Sequence, residues 1–139
     1  MGGAQTGSGK TGAFSIPILD YLLKKPQRSV FAVILAPTRE LAVQVDENFQ
    51  KYGKYLGTKT ALLYGGVGYG IQVKALEQGV DVVIATPGRL LDLFRQNAVK
   101  FNQVQTLVLD EADRMLDLGF AEELQSVYAA LPRKRQTLL

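Results

Sequence analysis

The stretch Val30-Phe31-Ala32-Val33-Ile34-Leu35-Ala36-Pro37-Thr38-Arg39-Glu40-Leu41-Ala42 changes its pattern part-way along. Val30 to Ala36 is the longest uninterrupted apolar run of the chain and is closed by Pro37. A short, β-branched run of this kind reads as a strand buried on both faces. From Glu40 to Leu56, Leu41, Val45, Phe49 and Tyr52 recur at helical spacing, the mark of an amphipathic helix. The same two patterns recur on either side. Thr60 to Tyr64, Asp81 to Ala85 and Thr106 to Leu109 are further short apolar runs, whereas Thr11 to Lys25, Ile71 to Leu76 and Phe120 to Leu131 carry helical spacing. Strands alternating with helices in this way predict βαβ units and a parallel sheet flanked by helices, the α/β class. Pro17, inside the first helical stretch, predicts a kink or a lost hydrogen bond there.

With 139 residues, 47% of them hydrophobic, the chain suits one domain and is too short for two. It has no cysteine, histidine or tryptophan. The first two absences exclude a zinc finger, a thiol nucleophile, an imidazole base and a Ser-His-Asp triad. Catalysis by this chain would rest on carboxylates, Lys and Arg, hydroxyls, backbone N–H groups and a hard metal ion. A chain free of cysteine fits a reducing, cytoplasmic compartment. Its 16 Lys+Arg against 13 Asp+Glu give a formal charge of +3, a mild bias toward anionic partners. The run from Val30 to Ala36 falls far below the ~18 apolar residues of a membrane span, so no membrane partner is expected.

Near the start stands Ala4-Gln5-Thr6-Gly7-Ser8-Gly9-Lys10-Thr11, which matches the phosphate-loop pattern G-x-x-x-x-G-K-[ST] except for Ala4 in the first position. Gly7 and Gly9 allow consecutive backbone N–H groups to turn inward onto phosphate oxygens, with Gln5, Thr6 and Ser8 completing the loop. The helix that follows adds its positive end. Lys10 would reach the β and γ phosphates, and Thr11 offers a hydroxyl to Mg²⁺. The bland alternative is a flexible Gly/Ser helix start.

A second candidate follows the run at Leu107-Val108-Leu109, where Asp110-Glu111-Ala112-Asp113 places carboxylates at the carboxyl end of a buried strand. Ligands bind at that end of open α/β sheets. Asp110 is placed to hold Mg²⁺ and Glu111 to orient and polarise an attacking water. Asp113 has no such role from spacing and reads as a cap of the following helix. A Lys/Thr phosphate loop paired with a strand-end Asp-Glu makes an NTPase site, with Lys10, Asp110 and Glu111 as the catalytic candidates and a nucleoside triphosphate with Mg²⁺ as the ligands.

Three further stretches accompany these in order: Pro37-Thr38-Arg39-Glu40-Leu41-Ala42, Gly65-Gly66 and Thr86-Pro87-Gly88-Arg89. With them the chain resembles a DEAD-box RNA helicase. Its texture, including Leu90-Leu91-Asp92 and Arg114-Met115-Leu116-Asp117, is similar to the bacterial members. Ala4 then matches the family, which usually carries alanine there. The resemblance implies a RecA-like fold and RNA-stimulated ATP hydrolysis coupled to local unwinding of RNA duplexes. It also gives Pro37, Thr38, Arg39, Gly65, Gly66, Thr86, Pro87, Gly88 and Arg89 a role in gripping single-stranded RNA. The physics agrees with that role: loops after buried strands bring helix-start N–H groups and arginines to successive phosphates, reading backbone and not bases. Helix starting, with Thr as N-cap and Pro in the first turn, is the structural reading of Pro37-Thr38 and of Thr86-Pro87, and both readings can hold together. Arg133-Lys134-Arg135 reads as a solvated basic turn.

The resemblance covers part of the first of two RecA-like domains. The adenine-recognition segment, the strand leading into the phosphate loop, the Ser-Ala-Thr motif and the second domain are expected outside it, and both ends read as cut within a domain, with Gln136 to Leu139 opening another strand. Three expectations follow. The remaining strands stay contiguous, the phosphate loop is partly formed and mobile, and an exposed sheet edge permits self-association. Without the arginine fingers of the second domain the piece alone is nearly inactive. A nucleotide-switched RNA-binding module without useful turnover is the alternative in a different class.

Overall fold

The computed structural model describes residues 30–53, 59–66, 68–132 and 136–138. Strand β1 spans Ala32–Leu35, followed by helix α1 (Arg39–Gly53), β2 (Thr60–Leu63), α2 (Tyr69–Glu77), β3 (Val82–Ala85), α3 (Pro87–Arg95), β4 (Thr106–Leu109), the short α4 (Ala112–Asp117), α5 (Ala121–Ala130) and β5 (Gln136–Leu138). The strands form one parallel five-stranded sheet in the order β2-β3-β1-β4-β5. This is the α/β architecture expected from the alternating patterns, with its described strands contiguous. The phosphate loop, the helical stretch bearing Pro17 and the basic triplet at 133–135 lie outside the described residues.

The sheet is apolar on both faces because its strands are, and the two faces separate by residue parity. Val33, Leu35, Leu63, Val83, Ala85, Leu107 and Leu109 join a core with Leu90, Leu93, Met115, Leu124 and Val127 from α3, α4 and α5. Ala32, Ile34, Val82, Ile84 and Val108 join a second core with Ala42, Val45 and Phe49 from α1. Successive strand residues point to opposite faces, so near-continuous Val, Ile and Leu serves both cores at once. Every residue of β1 and β3 is fully buried, as befits strands inside the sheet with helices over both faces.

Boundaries follow local chemistry. The Thr38 hydroxyl oxygen accepts the Leu41 N–H at 3.3 Å, an N-cap bond that starts α1. Helix α3 begins at Pro87 in the first helical position, where a missing N–H costs nothing. It is a full helix of 9 residues, although its spacing, with Leu90, Leu91, Leu93 and Phe94 crowded together, gave only its start in the sequence. It ends at Asn97, which takes the left-handed conformation (φ 60°) while the Ala98 N–H reaches back to the Leu93 carbonyl at 2.9 Å. Gly119 (φ 88°) closes α4 in a similar way, its N–H donating to the Leu116 carbonyl at 3.0 Å.

Candidate functional site

The paired residues Leu63 with Ala85, Leu35 with Ala85, and Leu35 with Leu109 put the carboxyl ends of β2, β3, β1 and β4 at one level. The ladder runs one residue further. The N–H groups of Thr86, Ala36 and Asp110 donate to the carbonyls of Leu63, Ala85 and Leu35 at 3.0, 2.9 and 2.9 Å. From this level four loops leave side by side, in the order Gly65-Gly66, Thr86 to Arg89, Pro37 to Arg39, and Asp110-Glu111. Segments dispersed over the sequence thus become neighbours, because each follows a strand of the same parallel sheet.

The first three loops form a basic, glycine-lined surface. A Cβ added at Gly65, Gly66, Gly68 or Gly88 would meet nothing within 4 Å, so the space above these backbones is open to a ligand. Gly66 has φ 86°, a conformation that favours glycine. The Arg39 guanidinium lies 5.0 Å from the Tyr64 ring centre and that of Arg89 lies 4.3 Å from the Tyr69 ring. These are cation–π distances, and they hold both arginines at the edge. Pro37 and Pro87 are buried beneath the loops they start, while Arg39 and Gly88 are exposed. Thr38 spends its hydroxyl on α1, but Thr86, also at an N-cap position, makes no such side-chain bond. Thr86 and Pro87 thus take the N-cap and first-turn positions expected of them, without a side-chain cap bond, whereas Pro37 precedes the Thr38 cap and does not enter the first turn of α1. The early N–H groups of α3 keep their capacity for an anion.

The fourth loop carries the acids. Asp110 is 3% exposed, at the end of β4 and beside the loop that carries Thr38. Glu111 is half-buried, in the left-handed conformation (φ 55°, ψ 55°), and occupies the N-cap position of α4. Its carboxylate lies 3.8 Å from the Arg114 guanidinium. Asp113 is not the cap that spacing suggested: it stands in the first turn of α4 and is exposed. The tight turn after Asp110 brings the helix start two residues closer to the strand than a capping Asp113 would allow.

The phosphate-loop candidates Gln5, Thr6, Gly7, Ser8, Gly9, Lys10 and Thr11 lie outside the described residues. Among the described residues no group of three or more His, Cys, Asp or Glu forms a metal cage, and no helix is long and apolar enough to cross a membrane. Sequence reasoning missed Tyr64, Tyr69, Gln72 and Asp92, which support the loops from below. The Gln72 amide donates to the Tyr64 carbonyl (3.0 Å) and accepts from Arg89 (3.1 Å), and the Tyr69 hydroxyl donates to Asp92 (3.1 Å). Nothing in the sequence singled out Gln72, since Lys74 and Glu77 on the same helix are polar too.

A parallel α/β sheet whose carboxyl edge gathers a strand-end acid pair beside glycine- and arginine-bearing loops defines the class of phosphate-handling proteins of open α/β architecture. Comparison with known proteins narrows this. The DEAD/DEAH box helicase family model matches residues 1–139, and the chain belongs to that family. It is 45% identical over 139 residues to the DEAD-box ATP-dependent RNA helicase CshA of Streptococcus pneumoniae, covering all of this chain and 26% of that protein. With the ATP-dependent RNA helicase DeaD of Escherichia coli it shares 48% identity, covering 22% of the relative. The structure superposes on the yeast DEAD-box splicing factor Prp28 with a TM-score of 0.90 at 38% identity, over 96% of this chain and 34% of that one. The chain spans about a quarter of the length of the curated relatives it matches. The fold is that of the family's RecA-like domains.

Proposed function

We propose that this chain is the ATP-binding half of an ATP-dependent RNA helicase core, completed by a second RecA-like domain. The observation that carries the reading is the common level of four strand ends, which lines three candidate RNA loops along the edge that bears the Asp110-Glu111 pair, with Pro37 to Arg39 next to it. Nucleotide chemistry and RNA grip would then share one rigid edge, so that occupancy of one can be felt by the other through linkage. RNA would be held by its backbone at Pro37 to Arg39, Gly65-Gly66 and Thr86 to Arg89, with helix-start N–H groups and arginines facing phosphates.

ATP would lie on the loop from Gln5 to Thr11, with Lys10 against its terminal phosphates. The donor set fits Mg²⁺, which takes one or two protein oxygens and completes its shell with water and phosphate. Asp110, a hard oxygen donor buried at the strand end, and the Thr11 hydroxyl would hold it. When bound, the ion neutralises charge on the phosphate oxygens. Glu111 orients the attacking water and receives its proton. Edge strands leave unpaired backbone groups, so the same reading includes self-association of the chain when alone, which a strictly monomeric mass by light scattering at high concentration would refute.

The decisive experiment is phosphate release from Mg-ATP with and without single-stranded RNA, for this chain and for a protein carrying both RecA-like domains. Strong RNA stimulation is expected only in the two-domain protein. An absence of stimulation in both, with RNA still bound, would move the assignment to the nucleotide-switched binding module.

A further inference from the structure

Gln72 is 4% exposed on α2, a helix that contributes no residue to the proposed RNA loops. Its amide is wedged between two groups of fixed character. The Tyr64 carbonyl can only accept a hydrogen bond and the Arg89 guanidinium can only donate, and the amide answers each with its opposite end, at 3.0 and 3.1 Å. A carboxylate here would bring a second acceptor against the carbonyl, and an ammonium a second donor against the guanidinium. An apolar side chain of equal volume would fill the space but take this donor from the Tyr64 carbonyl and this acceptor from the Arg89 guanidinium.

The two partners belong to different loops. Tyr64 follows β2 and directly precedes Gly65-Gly66, while Arg89 lies in the first turn of α3. The Arg89 guanidinium is fixed a second time by the Tyr69 ring at 4.3 Å, and that ring is itself tethered by its hydroxyl to Asp92 at 3.1 Å. An arginine held before its ligand arrives loses less rotamer freedom on binding.

We infer that Gln72 is a positioning residue for RNA: its buried amide joins the Gly65-Gly66 turn to Arg89 so that the two loops grip the RNA backbone as one unit. The inference rests on the reading of those loops as RNA contacts, and it is tested in the two-domain protein by titration with a fluorescein-labelled oligouridylate, following both binding and RNA-stimulated ATP hydrolysis.

Gln72→Met, nearly isosteric and lacking the amide, is expected to raise the RNA Kd and the half-stimulating RNA concentration about tenfold, with the maximal rate at saturating RNA within about twofold. Arg89→Met is expected to do the same. The double variant should be no more than about twofold weaker than Arg89→Met alone, because Gln72 acts through Arg89. Additive losses, or a fall in maximal rate at unchanged half-stimulating RNA, overturn the inference. Should Gln72→Met not fold, as judged by far-UV circular dichroism, the Gln72 side-chain amide resonance is followed in the unsubstituted protein. It is expected to shift on RNA saturation and in Arg89→Met, and a resonance that RNA leaves unmoved overturns the inference. If RNA neither binds nor stimulates the unsubstituted protein, the helicase reading itself fails. Stimulation with additive losses removes only the role of Gln72.

Discussion

Glu111 and Gly66 occupy the same left-handed region of backbone space, at φ 55° and 86°, for different reasons. For glutamate that conformation costs about 1 kcal/mol or more, sustained by the turn that joins a fully paired strand to a helix. Strain of this kind concentrates where a side chain must be held at a set place. In the two-domain protein Glu111→Gln keeps size and backbone and removes the carboxylate proposed as the base. Phosphate release is expected to fall at least ~100-fold while ATP binding persists, and turnover at the normal rate would remove Glu111 from its role. Gly65 and Gly66 make a cleaner pair still. Both face open space, but only Gly66 has a positive φ. Gly66→Ala should lower unfolding stability by about 1 kcal/mol and Gly65→Ala by less than ~0.5 kcal/mol, as read from denaturant midpoints.

Helix α1 was legible because Val45 and Phe49 repeat at a helical interval and Thr38 precedes them, and the structure buries both in one core and uses the threonine as a cap. Helix α3 was legible only at its start, because Leu90, Leu91 and Leu93 all enter one core and, standing side by side in sequence, blur the helical interval. The contrast between the two N-termini gives an element-scale test. Thr38→Ala loses an N-cap bond and should cost about 1 kcal/mol, while Thr86→Ala, which loses no cap bond, should cost less than ~0.5 kcal/mol. Equal losses in thermal unfolding would mean that Thr86 caps α3 in solution.

Across the whole molecule the sheet order decides what is most protected. Strand β1 is first in the described sequence yet lies between β3 and β4, with every residue fully buried. Its amides, Val33 to Leu35, should exchange with solvent only through global opening, whereas the edge strand β2 should exchange through smaller local openings. Hydrogen exchange measured residue by residue checks this, and faster exchange in β1 than in β2 would contradict the order. The same topology explains why α1 stands alone against one described core while α3, α4 and α5 share the other.

By itself the sequence determined the class of fold, since apolar runs such as Val30 to Ala36 alternate with stretches of helical spacing, the pattern of a parallel sheet covered on both faces. It likewise singled out the loops proposed to carry chemistry, because Asp110-Glu111, Pro37 to Arg39 and Thr86 to Arg89 each follow such a run. The tertiary structure alone decided which of these loops are neighbours, that Glu111 and not Asp113 takes the N-cap position of α4, and that Gln72 joins two of the loops. The reason is physical. Burial and turn chemistry depend on residues close in sequence, whereas the partners of the Gln72 amide, 8 and 17 residues away, become partners only when strand order brings their carbonyl and guanidinium to opposite ends of one side chain.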